Sequence, residues 1–232
     1  GRGSGSRSPV GLLRGARVLW ALDAQPRLHS IAFTCLFFTV LSPSGLLSAW
    51  LRSRGVQPSA IAVFRAASQL TGCLGTLLAP AVIQHRSVPR AGVLLQRGQL
   101  AAIAVAAAVF CGMSTARAWT RVQPEAVFMA ALALSRVGLW GFDLCERQLL
   151  QTAAERRTAV LLFSFEKALT EVAGLCMLAV SLRFSAPSQF GTLVGLSVAA
   201  VGAATVLLQV SEGCAPARCA SAAEKLAMRK AA

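Results

Sequence analysis

Acidic and histidine residues are scarce in this chain of 232 residues, which sets nine Asp and Glu against 23 Lys and Arg and holds only two histidines. His29 and His85 stand at a helix start and in a loop, so a histidine-based metal cluster inside one bundle is excluded. The seven cysteines, at 35, 73, 111, 145, 176, 214 and 219, never show the two-residue spacing of a zinc or redox motif, and most behave as small apolar residues. A glycine-rich phosphate loop, a Ser or Cys nucleophile beside a histidine, and a carboxylate pair in an aqueous cleft are all missing, which leaves no enzyme reading. The alternating ten-residue pattern of membrane strands is absent as well.

What the chain has is apolar length. Apolar residues make up 55% of it and charged residues 14%. They fall in six blocks, 30–50, 60–83, 91–113, 124–149, 158–182 and 189–209, each meeting the roughly 20 residues that a helix needs to cross about 30 Å of hydrocarbon. The fold class expected is therefore an all-α membrane protein, a bundle of six transmembrane helices over 30–210. Residues 1–29 read as a basic cytoplasmic linker or the remnant of an upstream loop, and 211–232 as a short cytoplasmic tail. The breaks between blocks carry charges and turn residues, with Pro58 and Pro124 at helix starts, where a missing N–H costs nothing.

The formal charge of +14 raises the question of nucleic acid, which the distribution of the charge answers. Six spans place the N-terminal segment, the second and fourth loops and the tail on one side. These hold five, two, three and four basic residues, 14 in all, against five (Arg52, Arg54, Arg117, Arg121 and Arg183) on the other. That is the positive-inside pattern, so both termini are expected on the cytoplasmic side, or the stromal side of a plastid membrane. The expected partner is a lipid bilayer, not nucleic acid.

Ionisable and polar groups within the blocks point to function, because at that depth each must face protein or a water-filled path. In the second block Arg65, Ser68, Gln69 and Thr71 share a turn and a half, directed at a cavity or a partner helix. In the fourth, Arg136 and Asp143 lie seven residues apart, roughly 10 Å along one face, too far to pair directly. Each is expected to find its partner on another helix or in water, with Gln148 near the membrane edge. The fifth carries Glu166, Lys167 and Glu171; Lys167 and Glu171 form an i,i+4 couple, and a carboxylate exchanging protons or meeting a cation is the sharper alternative. Arg136, Asp143, Gln148, Glu166, Glu171 and Gln69 are thus the candidates for a transport pathway or gate.

The run from Arg136 through Gly138-Leu139-Trp140, Phe142-Asp143-Leu144 and Gln148-Leu149-Leu150-Gln151 resembles the ferroportin family, solute carrier family 40 iron exporters. Trp20 through Gln25-Pro26 to Thr39-Val40-Leu41, and Phe190-Gly191 with Leu193-Val194 and Ser197-Val198, are similar to that family's seventh and last helices. The resemblance covers about residues 20–210 and implies the C-terminal six-helix lobe of a major-facilitator-type transporter. It implies efflux of Fe2+ or a similar divalent metal by alternating access, in exchange for protons, with no cofactor beyond the transported ion. One lobe cannot alternate access alone, so the partner implied is a missing N-terminal six-helix half or a second chain. The family's metal-ligand positions fall on Ser44, Gly45 and Met177, where a thioether favours soft metals over Fe2+ and two strong ligands are lost. Pro43 would break the first helix beside them. Two other readings stay open: a half-length membrane scaffold that does not transport, and a transporter of another metal or an organic cation.

Overall fold

The computed structural model describes residues 9–113 and 123–231, with side chains over 11–113 and 123–213. The expected basic residues Arg2, Arg7, Arg117 and Arg121 lie outside the described residues, as do the side chains of the tail from Cys214 onward. The described residues are helical almost throughout, with no strand among them: α1 (Pro9–Ala21), α2 (Ala24–Cys35), α3 (Gly45–Ser53), α4 (Pro58–His85), α5 (Val88–Met113), α6 (Pro124–Ala153), α7 (Arg156–Arg183) and α8 (Phe190–Ala231).

Four segments are long and apolar enough to cross a membrane: α4, α5, α6 and 187–213, which includes the apolar part of α8. At 26 to 30 residues, α4 to α6 are each roughly 40 Å long, ample for hydrocarbon plus interface. Two of the six expected blocks differ from a single apolar helix. The block 30–50 is not one helix, because the chain leaves helical geometry after Cys35 and resumes it at Gly45, with Pro43 in between. The block 158–182 is helical as α7, but Glu166, Lys167 and Glu171 interrupt its apolar run, and it is not among the four. The chain is a multi-pass membrane protein by these helices, and α4 shows the lipid-facing side. Its Val63, Leu70, Leu74 and Leu77 are exposed at spacings of seven, four and three.

The compact part is α6 clamped between α4 and α5, with α8 against α5 and α2. Close approach is achieved by removing side chains at the crossing points. A Cβ on Gly75 of α4 would overlap the Val137 carbonyl, and one on Gly138 of α6 would stand 2.5 Å from the Leu95 carbonyl oxygen. Thr71 adds a hydrogen bond across the first crossing, its Oγ1 donating to the Ala133 carbonyl at 2.6 Å. The polar face expected on the second block is thus divided, with Thr71 on a partner helix and Ser68 and Gln69 beside a cavity. α7 stands to one side, packed on α1 and α2, with Val172, Leu175, Leu178 and Leu182 exposed.

At the α3–α4 turn, Gly55 has φ +86°, a conformation that side chains rarely adopt, and it lets the chain reverse before Pro58 opens α4. Around that end α3 is packed by rings. Trp50 stacks on Phe190 at 4.7 Å between centroids with 12° between planes, and meets Phe128 edge-on at 5.8 Å.

Candidate functional site

The irregular stretch 36–44 between α2 and α3 lies within the bundle, where every N–H and C=O needs a partner in protein or in a cavity. At Val40 and Leu41 the neighbouring helices and the stretch itself supply three. Ser197 of α8 accepts from the Val40 N–H at 3.0 Å, Thr39 Oγ1 accepts from the Leu41 N–H at 3.1 Å, and Arg136 of α6 donates from Nη2 to the Leu41 carbonyl at 2.7 Å. Arg136 is 8% exposed, and its Nε has no partner among the described residues. The guanidinium therefore serves first as the brace of the unwound segment, which answers why an arginine sits in an apolar helix.

Two cavities flank that brace. The first, about 280 Å³, is bounded by the unwound segment and α7, and its lining includes Ser42, Ser44, Arg136, Glu171 and Met177. The second, about 330 Å³, lies on the α4 side and is lined by Ser68, Gln69, Arg136, Asp143, Arg147 and Lys167 with Phe33 and Trp140. Arg136 lines both.

The residues singled out from the sequence divide among these surroundings. Ser44 and Met177, 133 positions apart in the chain, meet on the first cavity, with Met177 2% exposed. Gly45 opens α3 with free space around its Cα, and neighbouring Cys176 is exposed. Glu171 lines the same cavity, but its carboxylate is two-thirds exposed and pairs with Lys167 at 2.6 Å, the local i,i+4 couple. Asp143 and Gln69 both line the second cavity. Asp143 departs from expectation in one respect. Its partner among the described residues is on the same helix, Arg147, one turn further along α6, with Nε donating to Oδ1 at 2.9 Å. Gln148 is exposed and lines neither cavity. Glu166 is buried, outside both cavities, and accepts a hydrogen bond from Ser30 Oγ at 2.9 Å.

Sequence reasoning passed over Glu146 and Ser30. Glu146 is fully buried and faces Glu166. Its signal was its position three residues after Asp143 on one helical face, masked by the Glu-Arg pair that made it look like the charged end of a helix. Ser30 carried no signal, since a serine at a helix start is ordinary.

No cluster of three or more His, Cys, Asp or Glu suited to a metal ion is present among the described residues. The first cavity offers the hydroxyl residues Thr39, Ser42 and Ser44, the thioether of Met177 and the carboxylate of Glu171 at its edge, a weak and mixed donor set.

The family model for Ferroportin1 matches residues 23–201. Solute carrier family 40 member 2, chloroplastic, of Oryza sativa subsp. japonica is 31% identical over 182 residues, covering 78% of this chain and 30% of that protein. Ferreportin of Bdellovibrio bacteriovorus is 28% identical, over 76% of this chain and 39% of its own length. The chain thus spans about a third of the length of the curated relatives it matches. Among solved structures, a bacterial homologue of iron transporter ferroportin in an outward-facing state is similar, with TM-score 0.74 and 26% identity, covering 82% of this chain and 46% of that one. The same kind of protein in an inward-facing state shares the fold, with TM-score 0.73 over 79% of this chain and 44% of that one.

Proposed function

The chain belongs to the ferroportin family, and from that premise we propose that it forms the C-terminal lobe of an alternating-access exporter of a divalent metal ion, Fe2+ foremost. The observation that carries this reading is the unwound stretch 36–44, braced by Arg136 and opening onto a cavity that brings Ser44, Glu171 and Met177 together. Discontinuous helices of this kind expose backbone oxygens and polar side chains to a substrate at mid-membrane, which a continuous helix cannot do. In this reading the N-terminal lobe, or a second chain, supplies the opposite wall. The near-equal likeness of this lobe to outward- and inward-facing relatives supports its moving as one body. Both termini face the cytoplasm or a plastid stroma.

The donor set favours a second reading of the cargo. A buried thioether at Met177, without a histidine or cysteine beside it in the cavity, suits a softer ion better than Fe2+. One assay tests both. The full-length protein, reconstituted in liposomes, is tested for efflux of Fe2+, Mn2+, Zn2+ and Cu+ under identical gradients. Flux of any of these is expected to fall about tenfold in Met177→Ala, the loss of roughly 1.4 kcal/mol at one donor. Preference for Cu+ or Zn2+ over Fe2+ would favour the softer cargo, and no metal flux at all would leave the non-transporting scaffold as the better account.

A further inference from the structure

Two carboxyl groups lie buried outside both cavities, where α2, α6 and α7 meet. Glu146 of α6 is fully buried and Glu166 of α7 is 5% exposed, and the two are within hydrogen-bonding reach of each other. Ser30 of α2 donates to Glu166 Oε1, but neither oxygen of Glu146 has a donor among the described residues. Ionised carboxylates are acceptors only, so two of them facing each other away from water lack the hydrogen that would join them.

The charged neighbours do not provide it. On α6, Arg147 gives its Nε to Asp143 at 2.9 Å and acts on the glutamates only through space. On α7, Lys167 pairs with exposed Glu171. On α2, His29 precedes Ser30, and its Nδ1 is taken by the Gln25 carbonyl at 2.9 Å. Glu212 of α8 lies near the His29 side of the junction and pairs with Arg97 at 3.9 Å. Among the described residues the pair belongs to no cluster of three or more His, Cys, Asp or Glu suited to a metal ion.

We infer that Glu146 and Glu166 are a proton-binding site in which one proton is shared between the two carboxyls. Adding a proton to either turns a carboxylate into a carboxylic acid, whose O–H then donates to the other. That bond gives one oxygen of Glu146 the partner it lacks and leaves one negative charge for Arg147 and the Ser30 hydroxyl. The site also has an outlet. Asp143, one turn before Glu146, and Lys167, next to Glu166 in the chain, both line the second cavity, which puts its wall one turn or one residue from each glutamate. This inference rests on the geometry of the lobe and not on which metal is carried.

Infrared difference spectroscopy on the full-length protein in lipid tests it. A protonated-carboxyl carbonyl band that moves on exchange into D2O is expected in the wild type. It should vanish in Glu146→Gln and in Glu166→Gln taken singly, because the amide then supplies the missing donor to the remaining carboxylate. Asp143→Asn should keep it. Absence of the band in the wild type across the pH range of the folded protein would overturn the inference, and so would its survival in both glutamine variants. If one glutamine variant fails to fold, the other still decides, since loss of the band there assigns it to the pair and its survival overturns the inference. A protein that moves no metal but shows the band would fail the transport reading alone.

Discussion

The two pieces of the broken helix are seated in opposite ways. α3 is held by rings and aliphatic side chains, with Leu47 and Leu51 fully buried and Trp50 stacked on Phe190 among Phe110 and Phe128. α2 buries His29 and Ser30 completely, and its neighbours at that end are Glu166, Glu146 and Ser211. Apolar packing is non-directional and always present, so the α3 end behaves as an anchor. Polar contacts need a donor for each acceptor, and a single proton can make or unmake one, so the α2 end is the adjustable one. Between them the stretch 36–44 has no helix of its own and depends on Arg136, Thr39 and Ser197 for its shape.

That contrast can be broken at its strongest point first. Trp50→Ala is expected to cost about 3 kcal/mol or more by emptying the centre of the ring cluster, seen as a large fall in Tm in detergent, with Trp50→Phe recovering much of it. Arg136→Met, which keeps the bulk but leaves the Leu41 carbonyl without its charged donor, should cost about 2 kcal/mol. Its signature is that transport disappears while the fall in Tm is smaller than for Trp50→Ala. If the two variants lose Tm equally, the unwound segment is as much an anchor as α3 and the contrast fails.

At the polar end, Ser30→Ala removes one hydrogen bond to a carboxyl and is expected to lower stability by about 1.5 kcal/mol, measured as a shift in the denaturation midpoint at constant slope. Double-mutant coupling between Ser30→Ala and Glu166→Gln should be clear, whereas Ser30→Ala with Trp50→Phe should be additive. The smallest effect belongs to the exposed couple on α7. Lys167→Met is expected to change stability by less than about 0.5 kcal/mol, since both members are two-thirds exposed. A larger loss would mean that Lys167 acts in the second cavity, which it lines, more than in its pair with Glu171.

Much of this lobe is legible from residue order. The apolar blocks at 60–83, 91–113 and 124–149 became α4, α5 and α6, because long apolar runs have one spanning solution even with Pro80 or Arg136 inside them. Pro43 marked the break before the structure showed its extent. Arg136 and Asp143 stood out as ionisable groups in an apolar run, and each lines a cavity. The block 30–50 was misleading, because apolar composition alone does not separate a continuous helix from two short ones whose junction is satisfied by other helices. Glu146 stayed hidden for a related reason. Near the end of a helix a glutamate normally reaches water, and nothing local says that α2 and α7 will cover it.

Composition, block length and the 136–151 segment thus suffice for a helical membrane protein of the ferroportin family, since helix propensity, hydrophobic length and motif spacing are local properties of the chain. Which polar groups meet is not local. Ser30 reaches Glu166 across 136 positions, Val40 reaches Ser197 across 157, and Arg136 reaches Leu41 across 95. Those meetings depend on how closely α6 approaches its neighbours through Gly75 and Gly138, and on α7 closing over α2. Hydrogen bonds form over about 3 Å, so packing, which places helices to within that distance, selected the brace, the two cavities and the buried carboxyl pair.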